Sequence, residues 1–250
     1  MLRLAVTSLY IAWQDPHSRL WHTVGQLSRE NGLYTFAYTR GALASPRFKY
    51  LGRMRDVHKK YYSQELFPLF ANRILNSSRP EYRDYVRWLA MNPDKENDPM
   101  QLLARSGGER ATDELYVYAH PETNDQGGLE LFFLSNGLRY LDPVNLSRIE
   151  QLQVGDHLAF RHEVENEHDC FALVIETAEP IKVGYCPRYL NRDLCQIMEK
   201  TTVQLTVERL NHDAPIQFRL LCKAVFKLPE GVMLFADDEY QLLGREVVAA

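Results

Sequence analysis

QVGDHLAFRHEVENEHDCFALVI, residues 153–175, decides how the second half of this 250-residue chain is read. Leu158, Phe160, Phe171, Leu173 and Ile175 alternate with polar or small neighbours, the period-two pattern of two strands that share one buried face. Between them, Glu165 to Asp169 is a run of side chains that need no core and reads as a turn. Upstream lies GLRYL (137–141), followed by a short predicted helix over 143–150. Downstream lies KVGYCPRYLNRDL (182–194), with a strand over 181–186 and a helix from Pro187 to Lys200 led by its proline. VQLTVERL (203–210) and IQFRLLCKAVF (216–226) are two further apolar runs, and many strands with few helices suggest a compact barrel.

Four blocks in this order resemble the HIRAN domain: Gly137, Arg139 and Tyr140; Val154, Gly155 and Asp156; Asn166, Asp169 and Ala172; and Val183, Gly184, Tyr185, Pro187 and Arg188. The resemblance spans roughly residues 113–227. It implies a six-stranded OB-like β-barrel with one or two helices, and a site that captures the free 3′ end of single-stranded DNA. On that resemblance Arg139 and Tyr140 contact bases and phosphates. Asn166 helps to form the turn, Asp169 accepts a hydrogen bond from the terminal hydroxyl, and Arg188 fills the basic position at the start of the helix. His168 stands where the DNA-binding version carries an aromatic side chain, and His212, in the loop NHDAP (211–215), is the one stand-in for another. Residue chemistry alone leaves a second reading open. Asn166 and Asp169 also form turns by bonding their own backbone, Arg139 also pairs with acids, and Tyr140 also sits half in a core.

Composition excludes several classes. Charged residues at 25% and hydrophobic residues at 45% are ordinary globular values, so disorder is not the reading. No run of eighteen apolar residues exists, and the opening MLRLAVTSLYIAWQ turns polar too early for a signal peptide, so a cytoplasmic protein and no membrane partner are expected. Cys170, Cys186, Cys195 and Cys222 form no CxxC pair and read as reduced thiols. His157 and His162 fall on opposite faces of one strand, which spoils a two-ligand site, so no metal or cofactor is expected. With no GxSxG, HExxH or P-loop, the chain reads as a non-enzyme.

The net charge of -4 hides an asymmetry. Residues 1–112 carry 17 Lys and Arg against 10 Asp and Glu, residues 113–227 carry 11 against 18, and residues 228–250 carry 1 against 5. The positive surface is therefore not in the HIRAN-like region.

In the first half, residues 4–12 and 20–27 read as strands across the Asp15 Pro16 turn, and LYTFAY (33–38) follows the hairpin pair Asn31 Gly32. This is a small antiparallel sheet with helices, expected over 79–91 and 98–105. Val24, Gly25, Leu27, Glu30, Gly32, Tyr34, Phe36 and Tyr38, then Phe67, Phe70 and Asn72, resemble the N-terminal subdomain of HipA-type kinases and the HipS-like family. That resemblance, over about the first 80 residues, implies a regulatory role toward a kinase-like, helicase or nuclease partner. Between Arg40 and Tyr62, the residues Arg47, Lys49, Tyr50, Arg53, Arg55, Lys59 and Lys60 form a basic and aromatic run opposed only by Asp56. Basic groups neutralise phosphates and aromatic faces accept bases, as single-strand sites require, but a solvated loop or a partner-protein surface has the same composition.

SGGERATD (106–113) supplies a Gly-rich link, which sets expected domains of 1–112, 113–227 and an acidic extension over 228–250. ELYVYAH (114–120) and LELFFLS (129–135) read as a hairpin opening the second domain. The expected class is α+β.

Overall fold

The computed structural model describes residues 7–94, 97–110, 112–120, 122–123 and 128–244. The chain divides into two compact units, one made of Met1–Arg79, Glu96–His120 and Phe235–Ala250, the other of Pro80–Lys95 and Pro121–Leu234. In chain order the elements are β1 (Ser8–Gln14), β2 (Trp21–Glu30), β3 (Leu33–Tyr38), β4 (Tyr61–Ser63), α1 (Pro68–Ala71), α2 (Tyr82–Trp88), α3 (Pro99–Ser106) and β5 (Leu115–Ala119). There follow β6 (Glu122–Thr123), β7 (Leu129–Leu134), α4 (Pro143–Glu150), β8 (His157–His162), β9 (Leu173–Glu176), β10 (Lys182–Tyr185), α5 (Arg188–Met198), β11 (Gln204–Leu210) and β12 (Leu220–Phe226).

The first unit is an antiparallel sheet in the order β4-β3-β2-β1-β5. Its β2–β3 hairpin turns on Asn31 and Gly32, whose φ values of 48° and 81° are the left-handed pair that a two-residue turn between twisted strands requires. One face buries Leu9, Ile11, Leu27, Phe36, Phe70, Met100 and Leu103. Each such side chain, fully withdrawn from water, contributes about 1.5–3 kcal/mol.

Two boundaries fall differently from the sequence expectation. β5 pairs with β1 through Leu9↔Ala119 to Trp13↔Leu115, so ELYVYAH is not the hairpin partner of LELFFLS; most of the loop joining them lies outside the described residues. The reason is burial: Leu115 and Val117 complete the core of the first sheet. The residues after 228, expected as an acidic extension, also pack in part on the first sheet. Phe235 packs its ring 5.6 Å from both Tyr10 and Tyr118, Leu243 N–H donates to Tyr38 O (2.8 Å), and Asp238 pairs with Arg40 at 2.5 Å.

The second unit is an antiparallel sheet in the order β10-β9-β8-β11-β12-β7-β6, in which β6 is a two-residue strand. Its six longer strands curl into a half-barrel. At one corner the half-barrel brings the first and last of these six strands in sheet order together, where Asn136, just after β7, bridges Tyr185 of β10 through two 2.9 Å backbone hydrogen bonds. That approach depends on Gly184 (φ 128°): a Cβ there would lie 1.9 Å from Ser135 Oγ and 2.9 Å from Asn136 O. Ser135 Oγ in turn donates to Val183 O (2.9 Å).

Helix α2 also belongs to this unit. Phe218 stacks on Trp88 and meets Tyr85 edge-on, each 5.9 Å between centroids, and Asn211 Nδ2 donates to the carbonyls of Trp88 (2.9 Å) and Phe218 (2.7 Å). The start of β9 also moves from expectation. Phe171 is 37% exposed and lies before the strand, because Asp169 Oδ1 accepts its N–H (2.9 Å) and Asp169 O accepts Ala172 N–H (2.9 Å), which extends the turn.

Candidate functional site

Arg139 and Tyr140 close a one-turn 3-10 helix, Leu138–Tyr140, that follows Gly137 in the left-handed region (φ 77°). Leu138 is its buried anchor, which leaves Arg139 exposed and Tyr140 85% exposed. An aromatic ring held this far out of the core has both faces available to a base. The turn is held beside β10 by the Asn136↔Tyr185 bridge, and a Cβ on Gly137 would stand 3.2 Å from the Tyr185 ring.

The 163–169 turn is built by its own side chains. Asn166 Oδ1 accepts the N–H groups of His168 (3.0 Å) and Asp169 (3.1 Å), while its Nδ2 donates to Glu163 Oε2 (2.7 Å). Both acceptor sites of its amide oxygen and one of its two N–H donors are thus spent on shaping the turn. Glu163 Oε2 also accepts the Tyr185 hydroxyl (2.9 Å), and the Tyr185 oxygen accepts from Lys182 Nζ (2.5 Å). The Asn166 amide, followed by the Tyr185 hydroxyl and the Lys182 charge, holds the Glu163 carboxyl below its ordinary pKa. His168 is exposed beside the turn.

Asp169 is half-buried and accepts from Phe171 N–H on Oδ1 and from Asn191 Nδ2 on Oδ2 (2.8 Å). An ionised carboxylate offers about four acceptor sites, so one on each oxygen remains open to a donor from outside. Asn191 lies on the buried stripe of α5 with Leu190, Leu194 and Ile197, and its Oδ1 is buried without a hydrogen-bond partner. Arg188, half-buried, opens the same helix behind Pro187.

Three separate stretches of sequence therefore meet through Tyr185. Its backbone holds the Arg139–Tyr140 turn, its hydroxyl holds the Glu163–Asn166 turn, and it ends the strand that leads into Arg188 and Asn191. The sequence reading singled out Arg139, Tyr140, Asn166, His168, Asp169 and Arg188 but missed Glu163 and Asn191 and gave Tyr185 no contact. Asn191 carried one signal, a polar residue inside an apolar helical stripe.

His212 lies elsewhere in the pattern of contacts: its Nδ1 is 2.5 Å from Glu150 Oε2, and its neighbour Asp213 accepts from Arg87 (2.5 Å) and Trp88 Nε1 (3.2 Å). The loop 211–215 is thus occupied in seating α2 and α4. Among the described residues no group of three or more His, Cys, Asp or Glu is placed to hold a metal, and no helix is long and apolar enough to cross a membrane.

The basic run of the first unit is sorted by the same geometry. Arg47 approaches Asp15 at 3.4 Å, and Lys60 is also engaged. Lys49, Arg53, Arg55 and Lys59 are exposed and make no ion pair among the described residues.

The family model described as HIRAN domain matches residues 129–229, which coincides with most of the second unit. Two solved structures are similar over 41% of this chain. One is a protein from Lactobacillus plantarum, 21% identical and covered in full, with a TM-score of 0.33. The other is the HIRAN domain of human HLTF, 18% identical and covered over 81% of its length, with a TM-score of 0.32. No curated protein sequence matches the chain.

Proposed function

We propose that this chain is a recognition protein without turnover, whose HIRAN-like unit binds single-stranded DNA at a free 3′ hydroxyl end. In that role it serves as a sensor or recruitment subunit in DNA repair or defence. The observation that carries the reading is the convergence on Tyr185 of an exposed Arg–Tyr pair and a turn whose Asp169 keeps unused acceptor capacity. Tyr140, with His168 beside the turn, supplies stacking surface, and each good base–aromatic stack contributes about 1–3 kcal/mol. Arg139 and Arg188 supply phosphate contacts. Asp169 accepts the terminal hydroxyl, and a carboxylate there repels a terminal phosphate. Glu163, Glu165 and Glu167 add negative charge to the same turn, which disfavours a backbone clamp and favours an uncharged terminus.

Fluorescence anisotropy with short single strands that differ only in a 3′ hydroxyl or a 3′ phosphate tests this, on the wild type and Asp169→Asn. The substitution keeps the turn, because the Asn191 amide can rotate to offer its unpartnered Oδ1. Preference for the hydroxyl end, lost in the variant, is the expected result. Equal affinity for both ends overturns end reading, and no binding at all brings forward the regulatory role, with a kinase-like, helicase or nuclease partner.

A further inference from the structure

We infer that the first unit carries a second, independent binding site for single-stranded nucleic acid, one that needs no strand end, on the loop between Lys49 and Tyr62. It does not rest on the reading of the HIRAN-like unit. Lys49, Arg53, Arg55 and Lys59 are exposed and without an acidic partner among the described residues. Asp56, the one acid in the run, spends Oδ1 on the N–H of His58 (2.9 Å). Four cations in a span of eleven residues with no acidic partner among the described residues repel one another, a cost that an anion arriving from outside relieves.

The loop has little regular structure, yet it is pinned. The buried Tyr38 hydroxyl donates to Met54 O (2.6 Å) and accepts from Leu51 N–H (2.5 Å), so one side chain clasps both ends of the turn that carries Gly52 and Arg53. Leu51 and Met54 are 6% and 5% exposed and sink into the core beneath it. A second clasp follows: the Tyr61 hydroxyl accepts Asp56 N–H (2.7 Å) and donates to Asp56 O (3.0 Å). A solvated loop has no need of two tyrosine clasps. A binding loop does, because ordering it beforehand removes that cost from association.

Two aromatic side chains stand among the cations, Tyr50 at 44% and Tyr62 at 61% exposure. The Arg55 guanidinium lies 6.0 Å from the Tyr50 ring centroid, and Tyr62 projects from edge strand β4. Alternating cations and exposed rings on a fixed scaffold is what a phosphate–base polymer matches; an acidic peptide has no use for the rings. The ligand is therefore a single strand, gripped through phosphates and stacked bases without regard to its termini.

The test uses the full chain and a closed circular single-stranded DNA, which offers no 3′ end. Four phosphate contacts give a slope of log affinity against log salt of about -2.8, or a roughly fifty-fold loss for a fourfold rise in salt. Replacing Lys49, Arg53, Arg55 and Lys59 by Gln should bring that slope close to zero. Photocrosslinking of the wild type with a thiothymidine-containing circle should label the segment with Tyr50 or Tyr62, and this needs no variant to fold. No binding of the circle, crosslinks confined to other segments, or a salt slope indifferent to the four substitutions would each overturn the proposal. Competition by polyglutamate as strong as by the circle would replace it with an acidic-protein surface.

Discussion

The side-chain amide of Asn191 on α5 donates a 2.8 Å hydrogen bond to Asp169 Oδ2, which ties the helix to the last residue of the 163–169 turn. Asn191 is 2% exposed, so the donor is withdrawn from water while Asp169 stays half-buried. It fixes the carboxylate through one oxygen and leaves one acceptor site on each oxygen unused. Replacement by Ala removes the donor and leaves a small void, at a cost of about 1–3 kcal/mol. We expect a lower melting temperature together with a reduced ratio of affinities for hydroxyl and phosphate ends. A purely structural role would lower the first and leave the second alone.

Gly184→Ala is expected to damage the second unit more than an ordinary strand substitution. The new methyl would meet Ser135 Oγ at 1.9 Å and Asn136 O at 2.9 Å, and the positive φ adds strain. Overpacking of this kind costs about 1–3 kcal/mol. Denaturant unfolding measures it, and a change within about 0.5 kcal/mol, the range of a neutral surface substitution, would contradict the described closure at Asn136↔Tyr185.

Glu163 gives the turn a defined dependence on pH. Its folded pKa lies below the ordinary value of 4.5, so ionised Glu163 stabilises the folded state above that pH and the contribution fades as pH falls through the folded pKa. Below pH 4.5 the acceptor for Asn166 and Tyr185 is progressively lost. Glu163→Gln should flatten that part of the stability profile, measured by melting temperature against pH. An unchanged profile would show that the carboxylate is not held by these partners.

Tyr38→Phe tests the clasp of the basic loop. It leaves Leu51 N–H and Met54 O without their partner, at about 1–3 kcal/mol for each group that stays buried. Hydrogen exchange should accelerate over residues 49–56 well before the rest of the first sheet. Uniform protection would mean that the loop is ordered by other contacts.

Removal of α2 should destabilise the second unit although the helix lies far from it in sequence. A fragment beginning at residue 113 strips Phe218 of Tyr85 and Trp88, and frees the Asn211 amide from one of its two carbonyls. Lower melting of residues 113–250 relative to residues 80–250 is expected by calorimetry.

Local chemistry made much of this fold legible. The pair Asn31 Gly32 specified its turn because both positions had to take positive φ, and Asp98 and Asp142 capped the predicted helices α3 and α4 by accepting the N–H groups of Met100 and Asn145. The polar run at 165–169 marked a turn. What failed was partner choice. β5 has the composition of any half-buried strand, and nothing within ELYVYAH says which sheet it joins.

The sequence by itself determined most of the elements, though not β4 or α1, together with the main turn residues and the separation of a basic first half from an acidic second, because these depend on neighbours within a few positions. Only the tertiary structure decided that Tyr185 joins the two turns, that Asn191 backs Asp169, and that Arg47 has an acidic partner while, among the described residues, Arg53 and Arg55 have none. Those outcomes depend on contacts between residues dozens of positions apart, such as the 22 that separate Asn191 from Asp169, and chain packing sets them.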